Sequence, residues 1–462
     1  MCSSDLGSAV PPAAGVAQFG ANTSAEFFNQ GGVDPTISID GVSNAVSFDF
    51  GTFSADPRQE VQIEIIFSVT VQDVVFADGL LLTNQATTSE QNTSDAPVST
   101  TAIAQFVFTQ PELNITKGVV AADTDGTIDG DIGPAGVDFS DPGTAGQRAD
   151  ADITSEGLAV TPIDANISGV DAGDVVTFAI VVENSGDAPN GAFNVQIQDT
   201  LPDGFEIPGS GLNLDVRNGA GDAIGFTDLG GGLFVGGIEL NDDNANCVGA
   251  LAIANDTSGE NIAIITYDLV VSNDVGPQED AANLTNVAEV TNFAAFEAGD
   301  NRVDANDPIT DDAFAATDDP TVDKSIFTTS IDNDTSNQVL IGEIVTYEIV
   351  IELTEGTTEN VTLRDRINFA NNANDPDRGF LELLDAEIIS VGANLTLENA
   401  FVAGDGPSTG PEDRNADTVN DQLFFDFGDI LNTADNVVDD GDRIVVHVTA
   451  LVLDVPETVG GD

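Results

Sequence analysis

The sequence predicts an all-β chain made of tandem immunoglobulin-like β-sandwich repeats in an elongated array. Strand-length runs rich in Val, Ile, Thr and Phe alternate with turns rich in Gly, Asn, Asp and Pro. Along these runs apolar residues alternate with polar ones, as expected for strands that bury one face. Several runs recur at long intervals, which is typical of a repeat array.

The clearest recurrence pairs residues 173–182, Gly-Asp-Val-Val-Thr-Phe-Ala-Ile-Val-Val, with residues 342–351, Gly-Glu-Ile-Val-Thr-Tyr-Glu-Ile-Val-Ile. In each run the alternate apolar residues are predicted to face a core, and a third core face is predicted over 61–69. The three faces are Val176, Phe178, Ile180 and Val182; Val345, Tyr347, Ile349 and Ile351; and Val61, Ile63, Ile65, Phe67 and Val69.

Weaker matches complete the repeat. Residues 195–202 correspond to 361–367, and each run keeps an aspartate, Asp199 or Asp365, at the end of a strand. Leu-Thr-Asn occurs twice, ending at Asn84 and at Asn286. These matches predict a partial repeat over 7–110 (its second half), a complete repeat over 111–319, and a repeat over 320–462 that lacks its last strand.

The predicted complete repeat carries an acidic, glycine-rich insertion over 120–171. We expect the chain to be a segment of a longer array. Its first residues lack the features of a signal peptide and resemble a translated sequencing adaptor, so we do not treat Cys2 as native. No apolar run reaches the roughly 20 residues that a membrane helix needs, so no direct membrane insertion is expected.

The lysines are few and equivalently placed. The chain has 80 acidic residues and 11 lysines and arginines, and its lysines are Lys117 and Lys324. Each follows a proline, Pro111 or Pro320, on a strand that enters a predicted repeat. Two equivalent amines in so acidic a chain indicate a shared role.

A formal net charge of −69 excludes nucleic acid as a partner, because phosphate binding needs a basic surface. It also disfavours anionic membranes. The charge could simply keep a secreted protein soluble in salty surroundings. Alternatively, clustered carboxylates could bind calcium, which takes several oxygen ligands.

The best calcium candidate is the run from residue 123 to 131, within an otherwise turn-rich acidic linker. Its ligands would be Asp123, Asp125, Asp129 and Asp131. Asp332-Asn-Asp334 occupies the comparable place after Lys324, and the acidic loops 300–312 and 412–421 are weaker candidates. None fits the EF-hand pattern.

The sequence predicts no enzymatic activity. The single histidine, His447, is expected on the outer face of a strand, which disfavours a general base there. Cys247 has no histidine near it in sequence. The chain has no tryptophan and two tyrosines, which is a poor supply for a sugar-stacking surface.

Residues 173–188, Asp199-Thr-Leu-Pro-Asp-Gly and Leu-Thr-Asn-Val-Ala at 284–288 resemble the conserved repeat domain of large bacterial and archaeal surface proteins. They are also similar to the isopeptide-forming domains of fimbrial subunits and adhesins. The resemblance covers nearly all of the chain from Phe48 onward. It departs from the pattern in the third repeat, where Asp365-Arg-Ile replaces Asp-Thr-Leu-Pro.

In isopeptide domains, a first-strand lysine attacks a last-strand asparagine amide with the help of a buried acid. The resemblance implies Lys117 as nucleophile, Asn286 as acceptor and Asp199 as acid. In the partial repeats it implies Asn84, Lys324 and Asp365 as the equivalents. Asp174 and Glu183 are rival acids in the middle repeat. Each lysine could instead merely pair with an acid, and Asn286 could cap a turn.

The resulting expectation is a non-enzymatic, extracellular stalk segment of a bacterial cell-surface adhesin or fimbria-like protein. Its partners would be neighbouring repeats and an extracellular ligand, and it would require no cofactor. The alternative is a calcium-dependent surface-layer or ligand-binding module that uses the acidic loops. A polysaccharide-binding accessory domain is the third hypothesis.

Overall fold

The computed structural model describes residues 35–43, 45–51, 65, 78–91, 96–124, 126–144, 152–243, 245–255, 257–275, 284–331, 339–366, 381–412 and 422–454. The chain divides into two compact units, Met1–Val74 and Val75–Asp462. The described part of the first unit contains an antiparallel hairpin of β1 (Thr36–Asp40) and β2 (Ala45–Asp49). The strand predicted over 61–69 lies outside the described residues except for Ile65. That side chain is 43% exposed, against the prediction that it faces a core.

Strands make up nearly all of the regular secondary structure described in the second unit, which confirms the all-β prediction. They are β3 (Leu81–Gln91), β4 (Pro97–Val107), β5 (Leu113–Ala122), β6 (Thr127–Asp129), β7 (Asn166–Val170), β8 (Val175–Asn184), β9 (Phe193–Thr200), β10 (Phe205–Glu206), β11 (Asp215–Asn218), β12 (Phe226–Asp228), β13 (Ile238–Leu240), β14 (Ile262–Val271), β15 (Thr285–Ala294), β16 (Ile309–Thr317), β17 (Thr321–Thr329), β18 (Ile344–Glu352), β19 (Gly356–Arg366), β20 (Leu381–Val391), β21 (Leu395–Leu397), β22 (Thr409–Glu412), β23 (Gln422–Asn432) and β24 (Arg443–Val452). Among the described residues of this unit, short helical elements lie at α1 (Ser155–Leu158) and at a 3-10 turn (Asp440–Asp442). Within the described ranges, no helix is long and apolar enough to cross a membrane.

Strands β5 to β16 form a middle sandwich of two sheets. One sheet has the order β10-β14-β8-β5, with β11 also paired to β14, and the other has the order β12-β13-β9-β15-β16-β7-β6. The predicted core face of β8 is confirmed, because its four residues have no exposed surface. They pack against apolar residues of the opposite sheet, including Val195, Ile197 and Val290. Each such side chain contributes roughly 1.5–3 kcal/mol by burial.

The insertion over 120–171 packs onto the middle sandwich, a feature that the sequence did not predict. The outer face of β8 is also buried, because Ala179 and Val181 belong to a second apolar cluster. The insertion supplies the covering residues Val137, Phe139, Ile153, Leu158 and Ile163. Its strand β7 joins the larger sheet by pairing in parallel with β16.

Strands β17 to β24 form a third sandwich. As in the middle sandwich, its first strand pairs with the next long strand of the chain, β17 with β18 as β5 with β8. One sheet has the order β17-β18-β24-β20, and the other has the order β19-β23-β21 with β22 on β23. The predicted face of β18 points into the core, with Val345, Ile349 and Ile351 buried. Phe401, Phe425 and Phe427 contact one another with ring centroids 5.3–6.0 Å apart.

Strands β3 and β4 pair with each other as a separate two-stranded sheet. Their residues are exposed along the whole of both strands. The register of this hairpin places Asn84 opposite Ala104, just as β15 and β16 place Asn286 opposite Ala313. In each strand pair the asparagine of the Leu-Thr-Asn run therefore lies near the start of the first strand and faces an alanine of the second.

Candidate functional site

Lys117 lies inside the core of the middle sandwich. It shares a face of β5 with Ile115 and Val119, which both contribute to that core, and its side chain has no exposed surface. Its Nζ atom donates to Asp199 Oδ1 at 2.8 Å, to Asp199 Oδ2 at 2.7 Å and to Tyr267 Oη at 2.8 Å. Every hydrogen of the amine therefore has a partner in an apolar setting.

The backbone of β5 is held closely at this point by the insertion. Val119 N donates to Ala165 O at 2.7 Å. The adjoining Gly118 allows this approach, because a Cβ there would lie 2.7 Å from Ala165 N. The main-chain N–H of Lys117 also donates to Asp311 Oδ2 at 2.7 Å, which ties β5 to β16.

Asp199 reaches the same cluster from the opposite sheet. It follows Val195 and Ile197 on the core face of β9 and is 1% exposed. Burial raises the pKa of Asp199, although the charge of Lys117 opposes this. Burial also lowers the pKa of Lys117 to about 8, with Asp199 again opposing. The environment thus brings the two groups closer to a neutral amine and a neutral acid.

Tyr267 on β14 joins the groups, and the sequence analysis did not identify it. Its ring is fully buried, stacks on Phe178 and meets Phe234 edge-on. Its hydroxyl donates to Asp199 Oδ2 and accepts from Lys117 Nζ. Burial and the charge of Asp199 raise the pKa of Tyr267 well above its usual value, so the hydroxyl keeps its proton. The one available signal was scarcity, since the chain has two tyrosines.

Asn286 completes the cluster from β15. It is fully buried and its Nδ2 donates to Tyr267 Oη at 2.8 Å. Its Oδ1 is buried without a hydrogen-bond partner among the described residues. A buried oxygen left in this way costs about 1–3 kcal/mol. The alternative in which Asn286 caps a turn does not hold, because Asn286 lies inside strand β15.

The structure therefore brings Lys117, Asp199 and Asn286 together through Tyr267. Of the rival acids, Asp174 lies where the middle and third sandwiches meet and accepts from Asn436 Nδ2 at 3.1 Å. Glu183 lies on the face of β8 opposite to the core. The chemical roles assigned to the cluster remain predictions.

The third sandwich contains the equivalent lysine and aspartate in a more exposed setting. Lys324 faces Ile349 across β17 and β18, as Lys117 faces Ile180 across β5 and β8. Its Nζ lies 2.6 Å and 2.7 Å from the oxygens of Asp365. The Lys324 side chain is 34% exposed and that of Asp365 is 8% exposed. The sequence contains no third Leu-Thr-Asn run, and Asn84 lies exposed on β3.

Those predicted calcium ligands that the structure describes do not gather around one point. Asp123 accepts from Val175 N at 2.6 Å, and Asp129 accepts from Ser168 Oγ at 3.3 Å. Asp131 is exposed, while Asp125 and the run 332–334 lie outside the described residues. Across the described ranges, no group of three or more acidic, histidine or cysteine side chains could hold a metal ion.

The structure describes the positions of the single histidine and of Cys247. His447 lies on the outward face of β24, where its Nε2 is 3.2 Å from Glu348 Oε2 and its ring lies 4.3 Å from that of Phe327. Cys247 is a free, half-buried thiol in a turn, and Cys2 lies outside the described residues.

The chain matches no protein-family model and no curated protein sequence. Among solved structures it is similar to the T6 backbone pilin of Streptococcus pyogenes serotype M6, with 12% identity, a TM-score of 0.24 and 70% of the chain covered. The chain spans 64% of that pilin. It is also similar to the serine-rich repeat protein Srr2 of Streptococcus agalactiae, with 12% identity, a TM-score of 0.16 and coverage of 75% of this chain and 85% of that one. A partial N-terminal region of enterococcal surface protein matches with 10% identity, a TM-score of 0.18 and coverage of 63% and 82%.

Proposed function

We propose that the chain is a structural stalk segment of a bacterial cell-surface protein, and that an isopeptide bond between Lys117 and Asn286 closes its middle sandwich. One observation carries the proposal. An amine, a carboxyl group and a side-chain amide meet in a fully buried cluster, drawn from three strands that are distant in sequence.

The chemistry follows from burial. A neutral amine is a nucleophile, and the apolar surroundings that lower the pKa of Lys117 to about 8 favour that form. Asp199 holds the proton that the amine gives up. Attack of Nζ on the Asn286 side-chain carbon forms the new amide, and ammonia leaves.

The location of the bond gives it a mechanical purpose. Lys117 lies on β5 of one sheet, whereas Asn286 lies on β15 of the other, so the bond would join the two layers across their core. It would also close a loop of the chain between these residues. In the chain-entropy model, closing so long a loop stabilises the fold by about 5 kcal/mol. Such a tie resists separation of the sheets without using cysteine.

The same burial argues for a non-enzymatic role. Lys117, Tyr267 and Asn286 have no exposed surface, so an external substrate has no direct route to them. The resemblance of the sequence to surface-protein repeats supports a bacterial source and an extracellular location. It also supports an extracellular ligand. Calcium dependence stays the alternative function, and the hydrogen bonds of Asp123 and Asp129 within the chain do not favour it.

Tryptic digestion of the denatured full chain tests the bond. Trypsin does not cleave after a modified lysine, so the proposal predicts a branched product in which peptide 59–148 is joined to peptide 218–302. Lys324→Ala should keep this product, whereas Lys117→Ala should lose it. Cleavage after Lys117 with release of two separate peptides would contradict the proposal.

A further inference from the structure

We propose that Tyr267 is a catalytic residue of the bond-forming step, and that its hydroxyl carries a proton from Lys117 Nζ to the departing nitrogen of Asn286. This inference rests on the proposed function. It identifies a residue that neither the sequence pattern nor the lysine, asparagine and acid assignment includes.

The position of the hydroxyl is the first support. Tyr267 Oη lies 2.8 Å from Lys117 Nζ and 2.8 Å from Asn286 Nδ2. These nitrogens are the two atoms between which a proton must move, because the attacking amine has one hydrogen too many and the leaving group has one too few. A proton-transfer group must lie within hydrogen-bond reach of both atoms, and Tyr267 does.

The contacts of Asp199 are the second support. Its carboxylate accepts hydrogen bonds from Lys117 Nζ, Tyr267 Oη and the main-chain N–H of Thr200. The Asn286 amide contacts Tyr267 instead. Asp199 can therefore take the first proton from the lysine, but the leaving nitrogen is reached through the tyrosine.

The bond forms by proton transfers and one nucleophilic attack within the buried cluster. Asp199 takes a proton from the Lys117 ammonium, which leaves a neutral amine and a neutral acid. The Nζ lone pair then bonds to Asn286 Cγ, and the carbonyl electron pair moves to Oδ1. Tyr267 Oη accepts one proton from Nζ and gives its own proton to Nδ2, so the hydroxyl ends unchanged. The Cγ–Nδ2 bond breaks as the carbonyl re-forms, and ammonia leaves.

The environment keeps the hydroxyl ready for this exchange. Tyr267 is fully buried and packed between Phe178 and Phe234, which fixes the ring. Its pKa is raised by burial and by Asp199, so it starts the reaction protonated. Once Asp199 has taken a proton, the hydroxyl hydrogen is free to turn toward Nδ2.

The third sandwich supplies a matched control. Tyr267 pairs with Phe178 across β14 and β8, whereas the equivalent pair across β24 and β18 is Val448 with Tyr347. The ring beside the third-sandwich lysine is Tyr347, whose centroid lies 4.8 Å from Lys324 Nζ. Tyr347→Phe thus removes the other tyrosine hydroxyl of the chain and leaves the Lys117 cluster untouched.

The test follows bond formation in the full chain. Chain that has never folded, recovered from inclusion bodies in urea and confirmed at its full calculated mass, is diluted into refolding buffer. Ammonia loss is then timed by intact mass for the wild type, Tyr267→Phe and Tyr347→Phe. We expect Tyr267→Phe to slow the reaction about 100-fold or more, as removal of a general acid–base group does, and Tyr347→Phe to match the wild type. A Tyr267→Phe rate equal to the wild-type rate overturns the relay but leaves the bond. A wild type that loses no ammonia overturns the proposed function and the relay with it.

A second measurement decides the case if Tyr267→Phe does not fold. In the Tyr347→Phe chain, Tyr267 is the single remaining tyrosine, so biosynthetic fluorotyrosine labels that position alone. Fluorine changes the acidity of the phenol with little change of shape. A relay predicts that the rate of ammonia loss at one pH changes steadily along a series of fluorotyrosines of increasing acidity, because the phenol both gives and takes a proton. A tyrosine that only positions its neighbours predicts the same rate along the series, and that result overturns the inference.

Discussion

Lys117 and Lys324 occupy the same register in two sandwiches and hold equivalent aspartates, yet their surroundings differ. Lys117 has no exposed surface, whereas Lys324 is 34% exposed. In the middle sandwich β15 and β16 pack beside β5, while most positions of β17 are exposed. An ion pair at the surface contributes little, whereas one inside a core is forced toward neutral forms. Both sandwiches contain the lysine–aspartate pair, but only in the middle one do β15 and β16 pack beside it. That burial makes the Lys117 pair a candidate reactive cluster.

The largest expected difference concerns the removal of each amine. Lys117→Met leaves Asp199 buried without its partner and removes the proposed bond, so we expect it to lower the free energy of unfolding by about 3–5 kcal/mol or more. Lys324→Met should lower it by about 1 kcal/mol or less, because its pair is partly solvated. Chemical denaturation of the two full-length variants measures both values. Equal losses of stability in the two variants would show that burial does not distinguish the two lysines.

The stability of Asn286→Ala should depend on pH. This variant cannot form the bond, and it keeps Lys117 beside Asp199. The folded pKa of Lys117 is about 8 against an ordinary value of 10.5. Between these values the unfolded chain holds more protons than the folded chain, so stability should rise with pH. The limiting slope for one proton is about 1.4 kcal/mol per pH unit.

The matched variants locate the source of that slope. Urea midpoints at pH 8, 9 and 10 should rise in Asn286→Ala and in Asn286→Ala with Lys324→Met. They should stay flat when Lys117→Met is added to Asn286→Ala. A slope that survives the loss of Lys117 would assign the effect to another group.

The smallest expected effect lies where the middle and third sandwiches meet. Glu355 N donates to Asp171 Oδ2 at 3.3 Å, and burial together with Asp174 and Glu355 raises the pKa of Asp171 to about 7. Because the folded pKa is raised, the stability that Asp171 contributes is complete below about pH 4 and is lost as the pH rises through 7. Asp171→Asn should therefore raise the melting temperature at pH 8 and leave it nearly unchanged at pH 4. A variant that melts below the wild type at pH 8 would show that the charge is satisfied there.

Much of the fold and of the cluster could be predicted from the sequence. Alternation along β8 and β18 identified the core faces, and the recurrence of Lys, Asp and Leu-Thr-Asn identified three of the four clustered side chains. Both signals are local or repeated in the sequence, so they can be recognised without knowing how the sheets pack.

Tyr267 and the insertion could not be predicted in the same way. Tyr267 lies at the position that Val448 occupies in the third sandwich. Because the residue is not repeated, comparison of the repeated runs does not identify it. The apolar residues of the insertion, such as Val137, Ile153 and Ile163, are too widely spaced to show a period. Their burial depends on the outer face of β8, which is a tertiary effect.

The intact mass of the purified, denatured full chain shows directly whether Lys117 has formed the bond. A buried, reactive Lys117 and an exposed, unreactive Lys324 predict a mass short by one ammonia in the wild type and in Lys324→Ala. They predict the full calculated mass in Lys117→Ala and in Asn286→Ala. A wild-type chain at its full calculated mass would show that the bond between Lys117 and Asn286 does not form.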